Sequence, residues 1–110
     1  MQVSTEMMKG TVVPIVLKLL SERSMYGYEI IKEVNRRTEN LLDWKEGTLY
    51  PWLHRLEGEG LVSGRWMDGG GARQRKYYGL TRLGRTRLKE CTAEWTALSK
   101  AVSGILLTPA

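Results

Sequence analysis

Apolar residues recur at helical spacing in three short segments of the first 60 residues. The first segment places Val12, Val13, Val16, Leu17, Leu19 and Leu20 at this spacing. Thr11 is its candidate N-cap, which would put Pro14 in the first turn, where proline is tolerated. A helix that began near Met7 would instead kink at Pro14. The second segment opens after Ser24 and has a stripe of three residues: Ile30, Ile31 and Val34.

The third segment begins near Asp43 or Glu46 and ends at the glycine pair Gly58 and Gly60. Its stripe has the spacing i, i+4 and i+7 and consists of Leu49, Leu53 and Leu56. The first 60 residues therefore predict three short amphipathic helices.

After residue 60 the pattern changes from helical to alternating, which is typical of strands. Leu61–Trp66 and Arg75–Leu80 are two short runs rich in aromatic and branched residues. The segment between them contains three consecutive glycines, Gly69–Gly71, which favour a bend at the tip of a hairpin.

Alternation also divides the side chains of both strands between two faces. We expect Val62 and Trp66 to lie on the core side of the first strand. The second strand divides into two pairs by face: Lys76 with Tyr78, and Arg75 with Tyr77.

Thr81 is a good N-cap for a long final helix. Its apolar positions are separated by intervals of three or four residues, as in a heptad seam: Leu88, Cys91, Trp95, Leu98, Val102 and Ile105. A stripe of about 18 residues at about 1.5 Å per residue is longer than a three-helix core of this size. We therefore expect these residues to form a dimer interface.

The order of these elements predicts an α+β fold of the winged helix-turn-helix kind, with three helices, a two-stranded β-wing and a long C-terminal dimerisation helix. Residues 1–80 would form the DNA-binding domain and residues 81–110 the dimerisation helix. In such a fold the third helix enters the major groove and the wing reaches an adjacent groove or the backbone.

The charge distribution points to the same partner. Residues 65–89 contain eight basic residues and one acid, a net charge of +7, whereas the rest of the chain has a net charge of −2. A local excess of this kind creates a field that attracts polyanions such as nucleic acid. A solvated charged face is the simpler alternative.

Other functional classes find little support in the sequence. The single His54 and the single Cys91 lie on different predicted helices, and no metal-ligand, phosphate-loop or acid/base spacing occurs, so we predict no enzyme, no cofactor and no metal. Cys91 is interpreted as a small apolar seam residue. The longest apolar run, residues 12–20, is far below the roughly 20 residues of a membrane span. With no signal peptide and one cysteine, a cytoplasmic location is expected.

Three strings identify a family resemblance: MYGYEIIKEV (residues 25–34), GTLYPWLHRLEGEGLV (47–62) and RKYYGLTRLG (75–84). They resemble the PadR family of bacterial transcription regulators, over about residues 9–95. The resemblance implies a dimeric winged-helix repressor, with the first and last helices making the dimer, that in some members releases DNA on binding a small molecule. Where the family has a small capping residue and proline, this chain has Lys45 and Glu46. Asp43 could provide the cap instead, with Glu46 completing a capping box.

Two groups of residues are candidate DNA contacts. On the third helix, away from the leucine stripe, they are Thr48, Tyr50, Pro51, His54 and Arg55. On the wing they are Arg73, Arg75 and Lys76, which would neutralise phosphates, with Arg73 the candidate for the minor groove. Tyr50 could instead be a half-buried packing residue, and Arg55 could be paired with Glu57. Trp52 is assigned to the core or its rim.

Trp95 has two interpretations. As a seam residue it would fill the dimer core. In the PadR-like arrangement it would face its symmetry mate, and the two rings could hold a small planar aromatic ligand between them.

These observations favour a homodimeric repressor that binds double-stranded DNA at a pseudo-palindromic operator. A winged-helix protein-interaction module without DNA binding is the main alternative, and the local +7 argues against it. An RNA-binding protein is a third, weakened because no exposed aromatic platform is evident in the sequence.

Overall fold

A computed structural model describes residues 1–68 and 73–109. It contains five helices and three strands in the order α1 (Thr5–Met8), α2 (Val12–Glu22), β1 (Met25–Tyr26), α3 (Gly27–Arg37), α4 (Glu46–Gly58), β2 (Val62–Asp68), β3 (Gln74–Leu80) and α5 (Arg82–Leu106). The predicted glycine tip, residues 69–71, lies outside the described residues. The predicted winged-helix fold, with its three core helices and long final helix, is confirmed.

The apolar stripes of the three core helices meet in one core. Val16, Leu17 and Ile30 are fully buried there. Trp44 joins them just before α4, and Asn35 of α3 holds its backbone: Asn35 Oδ1 accepts a hydrogen bond from Trp44 N at 2.7 Å, and Asn35 Nδ2 donates to Trp44 O at 3.0 Å. The segment that leads into α4 is thereby fixed to α3.

The starts of two helices differ from the sequence prediction. Thr11 precedes α2 as predicted, but its hydroxyl donates back to Met8 O of a short helix that the sequence analysis missed. The predicted Asp43 cap of α4 is wrong, because Lys45 is the N-cap and no side chain caps it. Asp43 has φ 47°, and its carboxylate contacts Lys45 Nζ at 3.3 Å instead of the first turn of the helix.

The wing belongs to a three-stranded antiparallel sheet with the order β1-β3-β2, so the predicted two-stranded ribbon is incomplete. In β1, Met25 pairs with Tyr78 and Tyr26 with Tyr77. A strand of two residues shows no alternation that a sequence pattern could reveal.

Of the two residues predicted to lie on the core side of β2, one is buried. Val62 is buried, whereas Trp66 is 64% exposed. Four residues along a strand cover about 13 Å, which carries Trp66 beyond the end of the core. The assignment of Trp66 to the core is therefore wrong.

Helix α5 begins as predicted, with Thr81 Oγ1 accepting a hydrogen bond from Gly84 N at 3.0 Å. Leu88 and Cys91 are half-buried against the rest of the chain, and burial raises the pKa of the Cys91 thiol. The later seam residues are exposed: Trp95, Leu98, Val102 and Ile105. In the described ranges, no helix is both long and apolar enough to span a bilayer.

Gly84 is the contact point between α5 and the start of β2, and it generates a prediction. A Cβ at this position would overlap the Leu61 carbonyl oxygen, which is backbone and cannot turn aside. We expect Gly84→Ala to lower the free energy of unfolding by about 1–3 kcal/mol, despite the better helix propensity of alanine.

The matched control is Gly47→Ala, also in a helix, where the new methyl group would meet nothing within 4 Å. It should raise the free energy of unfolding by up to about 1 kcal/mol. Urea denaturation of both variants checks the prediction, and equal effects of the two substitutions would contradict it.

Candidate nucleic-acid interface

Helix α4 buries one face and exposes the other. Its stripe of Leu49, Leu53 and Leu56 is at most 1% exposed. Four of the predicted contacts lie on the exposed face, and the fifth, Thr48, is half-buried: the exposed ones are Tyr50, Pro51, His54 and Arg55. Pro51 lies inside the helix and has no N–H to donate to the carbonyl of Gly47, four residues earlier. That carbonyl therefore keeps its acceptor capacity in the first turn of α4.

The wing cations are held in different ways. Arg73 is exposed just before β3. The Arg75 guanidinium lies 4.6 Å from the centre of the Tyr26 ring, which meets Tyr77 edge-on at 5.3 Å between ring centres. Arg75 and Tyr77 thus both contact Tyr26 and lie on the same face of β3, as the alternation predicted.

Lys76 lies on the other face of β3 and contacts α4. Its ammonium is 2.8 Å from Glu57 Oε1 and 5.4 Å from the centre of the Tyr78 ring. The hydrogen bond to Glu57 raises the pKa of Lys76. A Cβ at Gly64 would overlap Lys76 Cε, so glycine at that position of β2 makes room for the lysine to reach the helix. The wing is therefore joined to α4 by an ion pair.

Between α4, the start of α3 and the wing lies an open cleft of about 770 Å³. Tyr50 and Glu46 line it from α4, and Trp66 lines it from β2. All three predicted wing contacts line it from the opposite side: Arg73, Arg75 and Lys76. The structure thus brings Tyr50 together with the wing cations, while the other predicted α4 contacts lie outside the cleft lining.

Tyr50 is partly exposed and partly packed against α3. The residue is 42% exposed, yet its ring lies against the backbone of α3. The contact is so close that a Cβ added at Gly27 would be only 2.6 Å from Tyr50 Oη. Burial raises the pKa of the Tyr50 hydroxyl, with a further rise from the charge of Glu46. The hydroxyl therefore remains a hydrogen-bond donor at neutral pH.

Arg55 makes other contacts than the sequence indicated. It pairs with Glu59 at 3.5 Å rather than with Glu57, and its guanidinium lies 5.0 Å from the centre of the Trp52 ring. Trp52 is half-buried and packs against the core, as predicted.

A second concave surface lies between α2, the end of α3 and α5. It is an apolar groove of about 390 Å³, lined by Pro14, Ile15 and Leu19 of α2 and by Trp95 of α5, with Lys18 and Arg37 at its rim. Trp95 is 53% exposed. In the part of the chain that the structure describes, no three His, Cys, Asp or Glu side chains are grouped as metal ligands would be.

A sequence profile of the PadR-like transcriptional regulator family matches residues 16–90. The chain belongs to this family. An uncharacterized protein of Lysinibacillus sphaericus is 35% identical over 100 residues, covering 91% of this chain and 92% of that protein. A transcriptional regulator from Clostridium thermocellum aligns with a TM-score of 0.86 at 32% identity, covering 93% of this chain and 99% of that one. A PadR-like transcriptional regulator from Bacillus cereus aligns with a TM-score of 0.82 at 30% identity, covering 96% and 100%.

The resemblance drawn from the three sequence strings is therefore confirmed. PadR-like proteins are transcriptional regulators that bind DNA and are not enzymes, which agrees with the functional class expected from the sequence.

Sequence analysis missed several residues of this PadR-like cleft. No exposed aromatic platform was evident in the sequence, whereas the structure exposes Tyr28, Tyr50 and Trp66 at the cleft. The sequence offered Arg55 as a possible partner of Glu57, whereas the partner in the structure is Lys76, 19 residues away. The only available signal was the alternation that put Lys76 on the same face of its strand as Tyr78.

The ion pair between Glu57 and Lys76 generates a second prediction. The side chains are 27% (Lys76) and 31% (Glu57) exposed, so solvent screens them only in part. In a double-mutant cycle with Glu57→Gln and Lys76→Gln, we expect the double variant to unfold at a higher urea concentration than additivity of the single variants allows.

The control pair is Arg55 and Glu59 in the same helix, whose side chains are 63% and 48% exposed. Its cycle, with Arg55→Gln and Glu59→Gln, should be additive, because exposed pairs contribute little. The same result for both pairs would show that Lys76 does not hold the wing.

Proposed function

We propose that this protein is a repressor that acts as a homodimer on a pseudo-palindromic operator in double-stranded DNA. The observation that carries the proposal is the cleft in which Tyr50, on the exposed face of α4, lies opposite three wing cations. Residues 1–80 would bind the operator, and residues 81–110 would join the two copies.

The exposed face of α4 suits the major groove, which is wide enough to admit one helix. Tyr50 and His54 are one turn apart on that face, and Thr48, Pro51 and Arg55 flank them. Hydroxyl, imidazole and guanidinium groups bind base edges or phosphates. We assign polar contacts to bases and phosphates in the major groove to Thr48, Tyr50, His54 and Arg55, and an apolar contact to Pro51, whose side chain has no hydrogen-bonding group.

The wing suits the DNA backbone beside that groove. Arg73 is exposed just before the start of β3, and Arg75 is held against Tyr26 and lines the cleft. We assign phosphate contacts to both, with Arg73 the one that enters the minor groove, while Lys76 can reach a phosphate only by leaving Glu57. A protein-interaction module has no need of this local charge, which disfavours that alternative.

The dimer is supported by the apolar seam that α5 exposes. Helix α5 has 25 residues, about 37 Å at 1.5 Å per residue. Four seam residues are exposed on it: Trp95, Leu98, Val102 and Ile105. Leu88 and Cys91, half-buried at the start of the seam, would form the edge of the same interface. A two-fold dimer of this kind would bind half-sites about one helical turn, or a multiple of it, apart.

Arg73 provides the test of DNA binding. Arg73→Ala should weaken binding to every duplex about equally and reduce the slope of log affinity against log salt by about one unit, because one phosphate contact is lost. Fluorescence anisotropy with labelled duplex over a salt series measures both quantities.

Arg36→Ala is the matched control, since it removes the same charge from an exposed arginine that pairs with Glu33 and does not line the cleft. It should leave the salt slope unchanged. An Arg73 variant with altered sequence preference but the wild-type slope would show that the wing makes a different contact.

We also propose that a small planar aromatic ligand binds between the two Trp95 rings of the dimer and releases the operator. The support is the apolar groove beside Trp95 and the exposure of its indole. Lys18 lines the same groove and adds an affinity for an anionic group on the ligand, whereas Arg37 is already paired with Glu22 and Glu33.

Trp95→Ala separates the ligand site from simple packing. If the indole binds ligand, the variant should remain a dimer by sedimentation, should bind DNA, and should no longer release it when a planar aromatic dye is added. If the indole only fills the dimer core, its loss should cost about 3–5 kcal/mol and abolish dimerisation and DNA binding together. Wild-type protein that sediments as a monomer at micromolar concentration would contradict the dimer itself.

A further inference from the structure

Trp66 is the most exposed large aromatic side chain of the wing strands. It is 64% exposed, near the outer end of β2. An indole buries a large apolar area when it is covered, and leaving it in water forgoes that stabilisation. A single exposed apolar residue is common on protein surfaces, so the neighbours of Trp66 decide what it contacts.

The position of Trp66 is defined by its strand partners. Trp66 is paired with Lys76 in the register of β2 and β3, and residues directly opposite each other share one face of the sheet. Lys76 turns toward α4 to reach Glu57, so Trp66 lies on the face of the sheet that is turned toward α4. The indole therefore lines the cleft together with Tyr50 of α4.

The chemistry of the cleft identifies the partner. Five aromatic side chains line it together with three cations: Tyr26, Tyr28, Tyr50, Trp66 and Tyr78, with Arg73, Arg75 and Lys76. Among the described residues that line it, Glu46 is the one acid. Cations beside apolar rings are complementary to a polyanion whose charged phosphates alternate with apolar sugar edges, which is the surface of a DNA strand.

We propose that Trp66 is a DNA contact, in which the indole packs against a deoxyribose of the strand whose phosphates are held by Arg73 and Arg75. This proposal rests on the proposed function, because it requires duplex DNA in the cleft. It assigns to the wing an apolar contact in addition to its charges, and such a contact releases no counterions. Its contribution to affinity is therefore independent of salt.

The first experiment compares Trp66→Ala with wild-type protein on a mixed-sequence duplex, over a salt series. We expect about a 10-fold loss of affinity, comparable to removing an aromatic contact to a nucleotide, with an unchanged salt slope. Trp66→Phe should recover most of the affinity. Because Trp66 is exposed, the urea midpoint of both variants should equal that of the wild type.

Met67→Ala is the control for truncation of an exposed apolar side chain on this strand. Met67 is 45% exposed, one residue after Trp66, and does not line the cleft. It should bind the duplex as the wild type does. An equal loss in the Met67 variant, or a reduced salt slope in Trp66→Ala, would overturn the proposal, since the effect would then come from the wing as a whole or from its cations.

The second experiment measures the contact directly. Acrylamide quenching of tryptophan fluorescence should decrease when duplex is added to the wild type, because the indole becomes covered, and should change less in Trp66→Phe. Equal protection in both proteins would overturn the proposal.

The outcomes separate this proposal from the function on which it rests. Wild-type protein that binds no duplex removes the proposed function. If Trp66→Ala binds duplex as tightly as the wild type does, the proposed role of Trp66 is overturned and the proposed function stands. If Trp66→Ala lost affinity only for single-stranded DNA of the same sequence, the indole would stack on an unpaired base, and the proposed sugar contact would be overturned.

Discussion

The burial of the leucine stripe of α4 determines which residues of this regulator can reach DNA. Leu49, Leu53 and Leu56 are almost completely buried, and each contributes about 1.5–3 kcal/mol relative to exposure. Turning the helix by one residue would expose all three, at a cost of about 5 kcal/mol or more. Because the helical period is fixed, the same burial directs Tyr50 and His54 outward.

The position of the wing depends on the same helix. Glu57, near the C-terminal end of α4, binds Lys76 of β3, and Gly64 of β2 leaves the space through which the lysine passes. At the other end of the cleft, Tyr50 packs against the backbone of Gly27. The helix and the wing are thus held in one geometry before any ligand is present, which reduces the entropy cost of binding a rigid duplex.

Local patterns in the sequence predict what local interactions determine. The stripes of α2, α3 and α4 were recognisable because each helix buries one face, and Thr81 was recognisable as a cap because its bond to Gly84 spans three residues. Contacts between distant residues left no such signal. The strand β1 exists only through pairing with β3, about 50 residues later, and the cap expected from Asp43 is lost because Asn35 holds the following residue, Trp44, in place.

Trp66 illustrates a second reason why the sequence alone does not predict every residue of the cleft. Alternation correctly assigns its face but carries no information on where along the strand the core ends, since that depends on the length of the helices packed beneath it. The same pattern therefore places Val62 in the core and Trp66 in the cleft. The cations that line the cleft from the wing were recognisable from charge alone, whereas the aromatic part of the cleft required the three-dimensional arrangement.

The connection between α4 and α5 explains how an event on the final helix can reach the DNA-binding surface. Thr81, the N-cap of α5, donates a hydrogen bond from its hydroxyl to Gly60 O at 2.7 Å, and its N–H donates to Leu61 O at 3.2 Å. Gly84 packs on the same Leu61 carbonyl. The N-terminal end of α5 is therefore fixed to the turn that follows α4. In the proposed dimer, a ligand that changes how two α5 helices cross would rotate the two α4 helices with them, and a coupling of about 1–3 kcal/mol is enough to change operator affinity from several-fold to about 100-fold.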